Sequence, residues 1–113
     1  MGLGLEIYKK EKEIKIGQIG DCEGIVYLTL KLEAGTWTYV NAEVLAVVRQ
    51  KYDEQEYSVE LGRKDLSVEI DQDSLTKFRE ELDEAIKTMK STIMNVQDKM
   101  IKGKEFIDSY IRD

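Results

Sequence analysis

The feature that most constrains this chain is a long amphipathic repeat at its C-terminal end. Leu82, Ile86, Met89, Ile93, Val96, Met100, Gly103, Ile107 and Tyr110 follow one another at alternating spacings of four and three residues. That spacing puts them all on one face of a helix, as a coiled-coil-like seam with one apolar position replaced by Gly103. Asp73 or Ser74 reads as the N-cap. Acids fill the first turns (Glu80, Glu81, Asp83, Glu84) and lysines follow (Lys87, Lys90), an order that complements the helix dipole.

The length of this helix has consequences. Ser74 to Arg112 is 39 residues, about 58 Å at 1.5 Å per residue. The roughly 70 residues before it would form a body about 25–30 Å across. The helix therefore cannot lie wholly on its own sheet. Either it folds back, at Gly103 or near Asn95–Asp98, or its distal half projects toward another subunit. A projecting Met100, Ile107 and Tyr110, with Phe106 and Ile111 alongside, would expose an apolar stripe that monomers avoid. The expectation is a homo-oligomer whose interface includes Met100, Ile107, Tyr110 and Ile111.

Before Asp73 the pattern is that of strands. In Gly24–Glu33, Val26, Leu28, Leu30 and Leu32 alternate with Tyr27, Thr29 and Lys31, the period-two signature of a half-buried strand. Glu33-Ala34-Gly35 reads as a tight turn and Thr36–Val40 as the returning strand. Ile14 and Ile16 share one face of a weaker strand. Leu3, Leu5 and Ile7 mark an earlier one in the opposite phase, which predicts a turn or bulge within Lys9–Lys12. Tyr57–Leu61 and Leu66–Ile70 each alternate, and Gly62-Arg63-Lys64-Asp65 between them reads as a hairpin loop. Asn41–Tyr52 satisfies both templates. Its valines favour a strand, while Asn41 as cap and Val44, Val47, Val48 and Tyr52 at helical spacing favour a helix. The predicted class is α+β: one domain over 1–113, with a twisted antiparallel sheet of five or six strands in 1–73. A helical packing and oligomerisation region follows in 74–113, with Gly103 as the point near which the helix could break.

Composition narrows the chemistry. There is no histidine, no proline and a single cysteine, Cys22. The usual general base, an intramolecular disulfide and a multi-cysteine zinc site are thereby excluded. Cys22 lies between Asp21 and Glu23 in a turn-like segment with no histidine to activate it, and reads as inert. Glu69, Asp71 and Asp73 alternate as oxygen ligands of magnesium or calcium would, yet they lack the glycine and terminal glutamate of a calcium loop, and a solvated face is the simpler reading. No phosphate-cradling glycine motif is present. No cofactor, metal or enzymatic activity is expected. With 17 basic against 23 acidic residues the net charge is −6, and the excess is concentrated in Lys51–Asp73. That balance disfavours nucleic acid and anionic membranes as partners. Met1–Ile16 lacks an apolar run, no stretch is long enough to span a bilayer, and the lone thiol suits a reducing compartment, so a cytoplasmic location is expected.

The candidate ligand set is aromatic and basic: Trp37, Tyr39, Arg49, Arg63 and Lys64, with Tyr27 and Lys31 elsewhere in the sheet. Exposed aromatics beside arginine could stack a base or hold a phosphate. The simpler expectation is that Trp37 and Tyr39 fill the core beneath the helix. A curved antiparallel sheet followed by a capped helix resembles the layout of the small single-stranded nucleic-acid-binding folds of the positive cofactor 4 and Whirly kind. That resemblance implies a nucleic-acid-binding alternative built on the aromatic and basic set. A third reading is sequestration of a small anionic ligand, such as a nucleotide, at a subunit interface. The leading expectation is a non-enzymatic, oligomeric binding or adaptor protein acting through surfaces between subunits.

Overall fold

A computed structural model describes residues 5–19 and 21–112. Four long strands, β1 (Leu5–Ile19), β2 (Cys22–Ala34), β3 (Thr38–Tyr52) and β4 (Gln55–Glu69), precede one helix, α1 (Gln72–Ile111). The strands pair antiparallel in sequence order β1-β2-β3-β4. The fold is thus α+β, with four strands among the described residues where the sequence predicts five or six.

The difference has one physical cause, repeated twice. Gly62–Asp65 is not a loop but part of β4, and the register shifts where Gly62 pairs with Ala46 and Glu60 with Val47. Leu61 is the extra residue, and a single bulged residue reverses the alternation as completely as a turn would. Likewise Lys9–Lys12 pairs in unbroken register with Leu28–Lys31, and the change of phase comes from the shift between Glu6 and Tyr8. Leu3 lies outside the described residues. Asn41–Tyr52 is strand, the greater part of β3. As a central strand under the helix it accommodates the continuous apolar run Val44–Val48.

The connections are short. Tyr52 pairs with Gln55 across a two-residue turn in which Asp53 and Glu54 both adopt positive φ, 47° and 67°. Trp37 belongs to the three-residue turn between Ala34 and Thr38 rather than to the returning strand. After β4, Asp71 caps the helix in place of Asp73 or Ser74. Its Oδ1 accepts the backbone N–H of Asp73 at 3.0 Å and of Ser74 at 2.9 Å, and Ser74 Oγ donates to Oδ2. α1 runs unbroken through Gly103; one glycine costs a helix interior about 1 kcal/mol, too little to end it.

The core lies between the helix and one face of the sheet. Val26, Val44, Ala46, Ala85, Met89 and Ile93 form it, with Ile14, Leu28, Leu61, Leu66, Leu82 and Ile86 packed against them. The helix finds its seat on small residues. A Cβ at Gly62 would meet Met89 Sδ at 3.2 Å, one at Gly24 would meet Ile93, and one at Gly17 would meet Gln97. Successive turns of α1 therefore pass from β4 over β2 to β1, the far edge of the sheet. The extents of 68 × 32 × 21 Å and a radius of gyration of 18.4 Å exceed the ~13 Å of a compact chain of this length. Long strands and an overhanging helix account for the excess.

Candidate functional site

On the face of the sheet away from the helix, the side chains of alternate residues meet across the strands. Glu23 pairs directly with Arg49, and Ile25 with Val47 one row on. Arg49 is the hub. Its Nη1 donates to Glu13 Oε1 at 3.2 Å and to Tyr27 Oη at 2.9 Å, and its Nη2 donates to Glu23 Oε2 at 3.1 Å. Nε lies 3.4 Å from Glu56 Oε1 without a hydrogen bond. One side chain on β3 is thereby tied to β1, β2 and β4. The Arg49–Tyr27 bond spans the Ile25–Val47 row, and both of those residues are buried although they face away from the helix. The Arg49 side chain retains 11% exposure.

The charges respond to this closeness. The hydrogen bond from Arg49 holds the Glu23 carboxyl below its ordinary range, and Lys15 at 3.5 Å adds to the effect. The hydrogen bond to Glu23 likewise raises Arg49. Burial pushes the Tyr27 phenol up. This is a neutralised network, with every guanidinium edge turned toward a carboxylate or a hydroxyl.

The sequence-predicted ligand residues do not converge. Trp37 is 59% exposed in its turn and Tyr39 is exposed at the start of β3, so neither fills the core. Tyr39 is in phase with Val47 and Arg49 on the face turned away from α1, and Trp37 lies in the turn before β3. Arg49 lies ten residues along β3 from Tyr39, about 33 Å of extended chain. Arg63 is held by Glu43 and by Asp65, the latter at 3.2 Å. It shares an open-face groove of about 520 Å³ with Lys9 and Lys31 and with the acids Glu11, Glu33, Glu43 and Asp65. Lys64 points to the other face, into a groove of about 660 Å³ between α1 and β4 that is shared with Lys77, Glu81 and Glu84. Among the described residues no cluster of three or more His, Cys, Asp or Glu could hold a metal ion. Asp71, from the acidic set, spends its carboxylate on the helix cap.

The distal helix is the other outstanding surface. Phe78, Ala85, Met89 and Ile93 are buried against the sheet, whereas every residue from Asp98 to Arg112 is exposed. Helical spacing carries the sheet-facing side onward through Met100, Gly103, Ile107 and Tyr110, with Ile111 and Phe106 flanking. Phe106 is 71% and Tyr110 79% exposed. This overhanging tail is 15 residues, about 22 Å long.

No protein-family model matches the chain, and neither curated proteins nor solved structures show a match. Among the described residues no helix is long and apolar enough to cross a membrane.

Proposed function

We propose that this chain is a small, non-enzymatic, homo-oligomeric binding or adaptor protein that works through surfaces formed where its subunits meet. The observation that carries the reading is the overhang of α1. The same helical face that is buried on the sheet as far as Ile93 continues, still apolar, over 15 residues with no sheet beneath it. Burying large apolar side chains is worth about 1.5–3 kcal/mol each, so a second subunit is the economical cover.

The sheet edges support the same route. Both edge strands carry several charges, Lys9 to Lys15 on β1 and Glu56 to Asp65 on β4, and charged edges resist strand-to-strand association. Neither a nucleic acid nor a nucleotide is favoured as ligand. Arg49 and Arg63 are already neutralised by carboxylates, and a phosphate would have to displace them. The exposed Trp37 and Tyr39, at the end of the sheet where α1 begins, remain open to a protein partner.

Sedimentation equilibrium at micromolar concentration tests the reading. A dimer or larger species is expected, and Ile107→Asp should convert it to a folded 13.1 kDa monomer, because a charge would enter the apolar contact. A wild-type protein that sediments as a monomer throughout that range contradicts the proposal.

A further inference from the structure

The tail also specifies how two copies meet. Met100 and Ile107 occupy one of the two seam positions, and Gly103 and Tyr110 the other. Gly103 is the informative residue. A Cβ there would meet nothing within 4 Å, so no packing inside the chain requires a glycine, and its cost to the helix is uncompensated within one copy. In a parallel pair each seam residue faces its own equivalent. Gly103 would then face Gly103 and leave a gap in the middle of the contact, with Tyr110 crowding Tyr110. In an antiparallel pair each layer joins one residue of each kind. Met100 faces Tyr110 of the second copy, a sulfur–aromatic contact, and Ile107 fills the space over Gly103.

Charge and area agree with a second copy as occupant. Asp98, Glu105 and Arg112 recur every seven residues on the outward side of the tail, where an antiparallel pair leaves them in water. The proximal half of α1 is already packed on its own sheet through Phe78, Ala85, Met89 and Ile93, so the overlap is confined to the tails. The exposed apolar side chains of one tail amount to roughly 600 Å², and a pair would bury on the order of 1,200 Å², the lower bound for a stable interface.

We propose that two copies pair through residues 98–112 as antiparallel helices, with Ile107 of each seated over Gly103 of the other. The proposal rests on the homo-oligomer reading above and deepens it. Gly103→Leu separates the geometries by sign. The added side chain has open space within its own chain, so the fold is retained. It collides with Ile107 in the antiparallel pair, and the dimer dissociation constant should rise at least tenfold; in a parallel pair it would fill the gap and tighten the dimer. In a Cys22→Ser background, chains carrying Met100→Cys mixed with differently tagged chains carrying Tyr110→Cys should form a mixed disulfide on oxidation. Neither variant should link efficiently to itself. Self-linked Met100→Cys dimers, or a Gly103→Leu dimer as tight as the wild type or tighter, overturn the antiparallel geometry while leaving a homo-oligomer. A wild-type monomer overturns both.

Discussion

Gly24 and Ile93 approach so closely that a Cβ on Gly24 would stand 2.5 Å from Ile93 Cγ2. Ile93 is fully buried, so this contact sets the height at which α1 rides over β2. Gly24→Ala should lower the unfolding free energy by about 1–3 kcal/mol, the usual cost of overfilling a packed core. Because Ile93→Ala removes the colliding atom, the double variant should lose less than the sum of the two single ones. Denaturant titrations of all four proteins give the coupling, and strict additivity would mean that the helix simply lifts away.

The β3–β4 turn places two ordinary side chains where glycine and asparagine are at home. Asp53 and Glu54 have φ of 47° and 67°, the paired positive values of a type I′ turn. Replacing them with Asn-Gly should raise stability by about 1 kcal/mol, since a left-handed conformation costs an ordinary residue roughly 1–2 kcal/mol. Thermal unfolding checks this; an unchanged midpoint would mean that the strain is relieved elsewhere.

Arg49 and Arg63 look alike in the sequence and should behave differently. Arg49→Met removes ties to three other strands and leaves Glu13, Glu23 and Glu56 facing one another. Arg63→Met removes only exposed contacts to Glu43 and Asp65, which contribute little. The first change should depress the melting temperature several times more than the second. Equal effects would show that the clasp adds nothing beyond surface pairing.

Acid should destabilise the protein through identifiable carboxylates. Glu23, hydrogen-bonded by Arg49, and Asp71, hydrogen-bonded by Ser74, are both held below their ordinary values of 4.5 and 3.8. As pH falls, the unfolded chain takes up these protons before the native one does. The contribution is therefore complete above about pH 4.5 and is lost progressively below it. Melting temperatures measured from pH 7 to pH 3 should fall at the acid end, and less steeply for Glu23→Gln or Asp71→Asn. Parallel curves for wild type and variants would assign the acid sensitivity to other groups.

Met89 and Ile107 separate the two halves of the helix. Met89→Ala empties a buried position over Gly62 and should cost about 2–5 kcal/mol at any protein concentration. Any cost of Ile107→Ala should shrink on dilution, as expected of a contact made only on association. Chemical unfolding at two protein concentrations distinguishes them.

The sequence by itself determined what depends on local pattern. The four-and-three repeat specified a helical C-terminal region, though not whether it runs unbroken through Gly103, and the alternation in Gly24–Glu33 specified a strand and its buried side, because both follow from the direction in which successive side chains point. The excess of helix length over sheet width was also legible, as arithmetic. Tertiary structure decided the rest. Whether the changes of phase between Glu6 and Tyr8 and at Leu61 are turns or one-residue bulges depends on the strand alongside, as does the choice of strand for Val44–Val48. The Arg49 clasp joins residues up to 36 positions apart in the chain, and only the register brings Glu13, Glu23, Tyr27 and Glu56 to one guanidinium. Trp37 was read as core because it is large and apolar. It is exposed because it falls in the turn between β2 and β3, and the path of a helix across a sheet is settled by packing against small residues such as Gly24 and Gly62, not by any local preference of the chain.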